Sequence, residues 1–293
     1  MKPSAFDYVR VASVEEALAH LTELGDRARL IAGGQTLMAT LNMRLSAPEL
    51  LVDISRIPGL SGIRLNGSTV TIGALTTHRE IERSPLVAQH LPLLAQAAPQ
   101  IAHAAIRNSG TIGGSVAFAD PAAEWPACCV ALDATIVIQG PAGGRRVRAR
   151  TFFRNLYETD LTPTDILVAI EFPVTPLARR SVFLELSRRR GDYAIVGLAL
   201  LARPAEGLLH EVALAYVGAG PVPMLARQAM AALEGRAPAA SVMQAARAAL
   251  AHDLQPGSDL YTSAATRQHL AGVLLDRAVT QLLSGGAAPH AIA

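Results

Sequence analysis

The stretch "RNSGTIGGSVAFADPAAEWP", residues 107–126, sets two adjacent glycines, Gly113 and Gly114, between a threonine and a serine and close ahead of two carboxylates. An earlier stretch, "LIAGGQTLM" at 30–38, repeats the device with Gly33 and Gly34 beside a glutamine and a threonine. Glycine has no Cβ, so it enters conformations with φ > 0 and lets a ligand come close to the main chain. Successive amide N–H groups then converge on one concavity that holds phosphate oxygens without a basic side chain. Neither 30–38 nor 109–120 contains Lys or Arg, which suits that chemistry, and the side chains of Gln35, Thr36, Thr111 and Ser115 add neutral donors. Either pair alone reads equally well as a tight turn. Two matching pairs favour a pyrophosphate gripped between two separate loops. Competing nucleotide motifs fail on spacing: there is no GxxxxGK[ST], neither pair matches GxGxxG, and "VGAG" at 217–220 is followed by Pro221 and Pro223 where a helix should begin.

Working outward, 293 residues with 51% hydrophobic and 17% charged content describe a globular chain long enough for two domains. A net charge of +2 does not suggest nucleic acid, and the run Arg188, Arg189, Arg190 reads as a solvated strand end. The opening "MKPSAFDYVR" has no apolar run or cleavage site, and "AIVGLALLA" is too short to span a bilayer, so a cytoplasmic location is expected. The only two cysteines, Cys128 and Cys129, are adjacent in an apolar segment. They cannot ligate an iron–sulfur cluster or a structural zinc and read as buried small hydrophobes. No HExxH or other paired histidine spacing points to a metal.

Periodicity predicts a helix at about 13–24, with a Ser13/Glu16 capping box, a stripe of Ala17, Leu18, Leu21 and Leu24, and a stop at Gly25. "ARLIAG" then reads as a buried strand with the first glycine pair just after it. "LLVDIS" at 50–55 and "STVTIGALTT" read as further strands. The stretch from Ile81 to His103 reads as helix interrupted at Pro85, Pro92 and Pro99. A helix is expected from Pro121 to Leu132, then strands at "ATIVIQG", "RRVRART" and "ILVAIEFPV". "PVTPLARR" marks a connection, which divides the chain into 1–176 and 177–284, with 285–293 a disordered tail. The second part holds three strand-like segments followed by helices near 224–234, 238–252 and 262–284, the pattern of an α+β unit with an antiparallel sheet covered on one face.

These segments carry a family resemblance. "AGGQTLMATLNMRLSAPELLVDISRI" and "IRNSGTIGGSVAFADPAAEWPACCVALDATI" are similar to the two flavin-binding segments of the FAD-binding, medium subunit of molybdenum hydroxylases, the group of aerobic carbon monoxide dehydrogenase and the xanthine dehydrogenase flavin domain. The likeness continues through "FLELSRRRGDYAIVGLAL" and "TSAATRQHLAGVLLDRAV", and so covers nearly the whole chain. It implies an α+β chain: a vanillyl-alcohol-oxidase-type (PCMH-like) FAD-binding domain of two α/β subdomains, then a smaller domain with a three-stranded antiparallel sheet packed by helices. Carried over residue by residue, the first loop is Ala32, Gly33, Gly34, Gln35, Thr36 and Leu37, with Thr36 where serine is frequent in the family. The second is Thr111, Ile112, Gly113, Gly114 and Ser115. Asp120 and Glu124 match acidic positions that accept ribityl or ribose hydroxyls, although helix capping explains them equally. Tyr193 matches an aromatic position near the isoalloxazine ring, which a buried tyrosine would suit, and Leu167 is a weaker candidate for the ring edge.

The resemblance implies non-covalent FAD here, with molybdopterin and [2Fe–2S] clusters on a large and a small partner subunit. The assembly is expected to be a dimer of heterotrimers, with this chain passing electrons to an external acceptor. No catalytic acid/base pair is required, because flavin supplies the redox chemistry. Two rivals stand beside this reading: a stand-alone FAD-dependent oxidase or dehydrogenase of the vanillyl-alcohol oxidase type, and a scaffold subunit that has lost its flavin.

Overall fold

The computed structural model describes residues 2–285, so the expected tail, from residue 286 on, lies outside the described residues. The chain opens with β1 (Asp7–Arg10), α1 (Val14–Leu24), β2 (Ala28–Ile31), α2 (Leu37–Asn42) and β3 (Leu50–Asp53). Ser13 Oγ accepts the Glu16 amide at 3.1 Å while the Glu16 carboxylate accepts the Ala12 amide at 2.7 Å, so the predicted capping box is shifted upstream in its second arm. Gly25, at φ +54°, ends the helix. The three strands are parallel in the order β1–β3–β2, with Ala17 and Leu21 of α1 packed on Val11, Ala28 and Val52. Parallel strands deliver their following loops to one edge, the position from which such sheets bind ligands. The first glycine pair leaves β2 at that edge.

β4 (Ile63–Asn66) and β5 (Thr69–Gly73) begin a second sheet. Six short helices follow: α3 (His78–Arg83), α4 (Pro85–His90), α5 (Pro92–Ala97), α6 (Ala104–Arg107), α7 (Ile112–Phe118) and α8 (Glu124–Ala131). Pro85 and Pro92 each sit at a first helical turn, where a missing N–H costs nothing, which is why the breaks fall where the prolines predict. Helix α8 starts three residues later than expected because Asp120 and Pro121 form a turn ahead of it. The unit closes with β6 (Thr135–Gly140), β7 (Gly143–Arg148), α9 (Ala149–Phe152), β8 (Phe153–Asn155), β9 (Glu158–Thr159) and β10 (Ile166–Pro173). The second sheet is antiparallel, in the order β4–β5–β10–β6–β7.

The C-terminal unit is β11 (Arg180–Leu186), β12 (Val196–Ala205), β13 (Leu208–Val217), β14 (Met224–Leu225), α10 (Arg227–Leu233), α11 (Ala240–Asp253) and α12 (Ala264–Leu283). The three expected strands pair in order, and two-residue β14 adds a fourth. The sheet is covered on both faces, not one. Val196, Leu198 and Leu200 pack into a core with the C-terminal helices, whereas Ala199 and Leu201 join the core of the first unit with Trp125 and Cys128. Gln96 of α5 also stands in for a missing neighbour at the β11 edge: Nε2 donates to the Ser181 carbonyl at 3.1 Å and Oε1 accepts the Phe183 amide at 2.9 Å. A paired edge offers no template for aggregation and fixes the second unit against the first.

Candidate functional site

The two glycine loops lie on one another. A Cβ on Gly33 would sit 1.9 Å from the Ser109 carbonyl oxygen, so glycine there is demanded by the crossing of the loops. At Gly34 a Cβ would meet side chains of Ile31 and Met38 at an ordinary 3.4 Å, and the demand comes instead from φ +68°. Among the described residues, the amides of Gly33, Gly34, Gln35 and Thr36 donate to no protein acceptor, and Thr36 gives α2 no side-chain cap. Gln35 Nε2 donates to the Gly33 carbonyl at 2.9 Å, which steadies the turn. Four successive N–H groups without a protein acceptor are the donor set an anion cradle requires.

The second loop is built differently. Its amides are taken up by the fold: Ile112 donates to the Thr76 carbonyl at 3.0 Å, Gly113 to Ala74 at 2.9 Å, Gly114 to Thr111 Oγ1 at 3.1 Å and Ser115 to the Thr111 carbonyl at 3.1 Å. A Cβ on Gly113 would stand 2.5 Å from that of Ala74, so this glycine seats α7 on the end of β5. Gly114 faces outward, and a Cβ there would meet only Thr111 Oγ1, at 3.0 Å. One explanation therefore does not serve both pairs. Gly33 and Gly113 are packing residues, Gly34 is conformational, and Gly114 alone has no strict structural need of glycine. Gly110, which the sequence reading passed over, leaves room for His78, whose Nε2 would be 2.7 Å from a Cβ. Trp125 Nε1 donates to His78 Nδ1 at 2.9 Å, and since indole only donates, the imidazole proton is on Nε2. Burial, then the charge of Arg107, lowers the His78 pKa to about 4 and keeps it neutral.

Of the two acidic candidates, Asp120 accepts the Ala122 amide at 2.8 Å and so shapes the turn before α8. Burial raises its pKa, against that hydrogen bond. Glu124 is 8% exposed at the first position of α8, and among the described residues no side-chain hydrogen bond reaches it. Burial, with the nearby Asp120 charge adding to it against one backbone hydrogen bond, pushes its pKa up to about 7. Glu185 on β11 lies close enough to respond to Glu124: burial first, then that charge, takes it to about 8, and its Oε2 is buried without a partner. Buried carboxylates left short of donors are acceptors waiting for hydroxyls.

Tyr193 is not the buried tyrosine expected. It sits in the loop between β11 and β12, 67% exposed, so strand packing does not explain it. Partial burial of the phenol, then the nearby Asp120, Tyr157 and Glu124, raises its pKa. Leu167 is a core residue of β10 whose neighbour Val168 accepts the Ala74 amide at 3.0 Å, beneath the second loop. Phe118 and Tyr157, unremarked in the sequence, meet with ring planes tilted by 56° and centroids 5.1 Å apart. Cys128 and Cys129 are free and fully buried, with burial raising both thiol pKa values. Among the described residues, no group of His, Cys, Asp and Glu could hold a metal and no helix is long and apolar enough to cross a membrane.

A row of amides without protein acceptors or nearby cations, a buried carboxylate on α8 with few donors and an exposed tyrosine fit the phosphates, hydroxyls and ring of a flavin dinucleotide. Comparison with known proteins points the same way. The family described as "FAD binding domain in molybdopterin dehydrogenase" matches residues 4–175, and "CO dehydrogenase flavoprotein C-terminal domain" matches 181–282. The chain is 38% identical over 97% of its length to the alpha subunit of the 6-hydroxypseudooxynicotine dehydrogenase complex of Paenarthrobacter nicotinovorans, covering 96% of that protein. It is 37% identical to the carbon monoxide dehydrogenase medium chain of Hydrogenophaga pseudoflava, over 95% of this chain and 97% of the relative. A solved structure of carbon monoxide dehydrogenase from the same organism, lacking the Mo-pyranopterin moiety of the molybdenum cofactor, superposes with a TM-score of 0.95 at 39% identity, covering 97% of this chain and 99% of that one.

Proposed function

The chain belongs to the FAD-binding subunits of the molybdenum hydroxylases, and from that premise we propose that it is the electron exit of such a complex, holding FAD non-covalently between its two glycine loops. The observation that carries the site assignment is the row of unpartnered amides at 33–36. These amides receive the pyrophosphate, Gly114 and Ser115 close over it from α7, and Thr111, Ile112 and Gly113 hold that helix end in place. Ala32 and Leu37 set the two ends of the first loop, with Gln35 and Thr36 adding side-chain donors. Glu124 accepts hydroxyls of the ribityl or ribose chain. Asp120 orders the turn that presents it, Tyr193 covers the ring from the C-terminal unit, and Leu167 supports the second loop from beneath. What a bound FAD supplies is electron transfer between partner clusters and an acceptor; the protein supplies binding, orientation and exclusion of water.

The chain has two cysteines, both buried, so clusters and molybdopterin belong to partner subunits, as the subunit names of its relatives indicate. We take the assembly to be a dimer of heterotrimers in the cytoplasm, with the division into domains at 176–177 and an external acceptor at the Tyr193 rim. The test is co-expression with neighbouring reading frames, affinity purification, a visible spectrum, acid precipitation and metal analysis. The expected result is flavin released to the supernatant together with iron and molybdenum in the complex. A homogeneous monomer that oxidises an organic substrate unaided, without either metal, refutes the subunit reading. Flavin remaining in the acid pellet refutes non-covalent binding.

A further inference from the structure

We propose that Arg107 is the positioning residue that sets the Tyr193 loop of the C-terminal unit over the cofactor cleft. The inference rests on the reading of Tyr193 as a neighbour of the ring. Arg107 ends α6 and its side chain is 13% exposed. Its Nη1 donates to the carbonyls of both Ile101 and Ala102 at 2.9 Å, and its Nε to Glu82 at 3.1 Å. Glu82 is held in turn by Arg79 at 2.9 Å. Burial works against the Glu82 charge, but its bonds to the two arginines outweigh it and keep the carboxyl below the usual range.

The guanidinium thus grips a peptide in an uncommon state, for Ala102 has φ +42° without being glycine. On that peptide rests Gly191: a Cβ there would lie 3.0 Å from both the carbonyl carbon and oxygen of Ala102, and Gly191 itself has φ +85°. The loop is closed on itself by Ser187 Oγ and the Asp192 amide, which both donate to the Arg189 carbonyl at 2.8 and 3.0 Å. Tyr193 follows two residues after Gly191. In the other direction, Arg107 runs into Ser109, whose carbonyl supports Gly33. The Arg107 side chain therefore fixes the peptide under the Tyr193 loop, and its backbone leads within two residues to the carbonyl beside Gly33. Lysine cannot replace it, since a single ammonium lacks the fork that bridges two carbonyls and a carboxylate together.

The experiment uses the full complex carrying Arg107→Leu, Arg107→Lys and Glu82→Gln, the last keeping the guanidinium and only loosening its anchor. Hydrogen–deuterium exchange of amides 188–194, followed in the flavin-free form, should quicken at least about ten-fold in Arg107→Leu and less in the other two, while the β12 and β13 amides stay protected. With FAD bound, emission should rise in Arg107→Leu to the level of Tyr193→Ala, with no further rise in the double variant. A loss confined to fold stability, with unchanged relative exchange at 188–194, overturns the inference. Emission unchanged in Tyr193→Ala overturns instead the ring-neighbour reading beneath it, and the exchange result then still decides whether Arg107 orders the loop.

Discussion

Gly114→Ala separates a glycine kept for the fold from one kept for the ligand. Gly114 lies in the first turn of α7 and is not a positive-φ residue, so an added methyl meets no backbone strain. Alanine gains about 1 kcal/mol over glycine in a helix. The new Cβ stands 3.0 Å from Thr111 Oγ1, which must yield by a few tenths of an ångström, and the cap it belongs to is worth about 1 kcal/mol. The two effects offset, so the flavin-free variant should unfold within about 1 kcal/mol of the parent, a Tm change of roughly 2–4 °C at most. A methyl pointing into a phosphate subsite instead pushes the phosphate off one charge-assisted hydrogen bond to the 33–36 amides, worth about 1.5–3 kcal/mol, which weakens FAD binding roughly 10- to 150-fold. Fluorescence titration of the flavin-free complex, with thermal melts of the same samples, measures both quantities. Parental affinity in Gly114→Ala refutes the placement of the pyrophosphate against α7. Equal losses of affinity and stability refute the claim that glycine is there for the ligand.

Gly33→Ala should be far worse, because a methyl 1.9 Å from the Ser109 carbonyl forces the loops apart by about 1 Å, and both flavin content and Tm should fall; normal flavin retention contradicts the loop crossing. Glu124 titrates near 7 in the folded chain against an ordinary 4.5, so between those values the folded state keeps a proton that the unfolded state has lost. Stability of the flavin-free protein is thus fullest at low pH and declines as pH rises through that window, by about 3 kcal/mol. Urea melts should show that slope, reduced but not abolished in Glu124→Gln because Glu185, raised to about 8, acts with the same sign. An unchanged slope removes Glu124 from the account. The same substitution should weaken FAD binding about ten-fold above pH 7, where the carboxylate is ionised and accepts, and equal affinities in the two proteins contradict that role. The flavin-loaded chain without its partners should be reducible by dithionite yet inert toward organic substrates, and turnover of any substrate by the lone chain counts against the subunit reading.

Sequence alone determined the character of this protein because the informative features are contiguous. Two glycine pairs without cations around them and prolines at helix starts are each legible within a dozen residues; the glycine pairs suggest a phosphate site, and the prolines give the string of short helices that the fold shows. The strand segments of the second unit were legible for the same reason, since an apolar run is a local feature. What each glycine is for was not legible, because it depends on what crosses it: Ser109 over Gly33, Ala74 under Gly113, Ala102 beneath Gly191. Capping and hydroxyl binding at Glu124 could not be weighed from the sequence, because the burial that raises its pKa is set by packing far along the chain. Strand packing explained Tyr193 nearly as well as a place near the ring until the loop placed it in the open, and the second face of the C-terminal sheet gained its cover only from helices encoded far upstream. Backbone propensity and local pattern act over a few residues, whereas steric demand, desolvation and charge proximity act through space, and those only the tertiary structure decided.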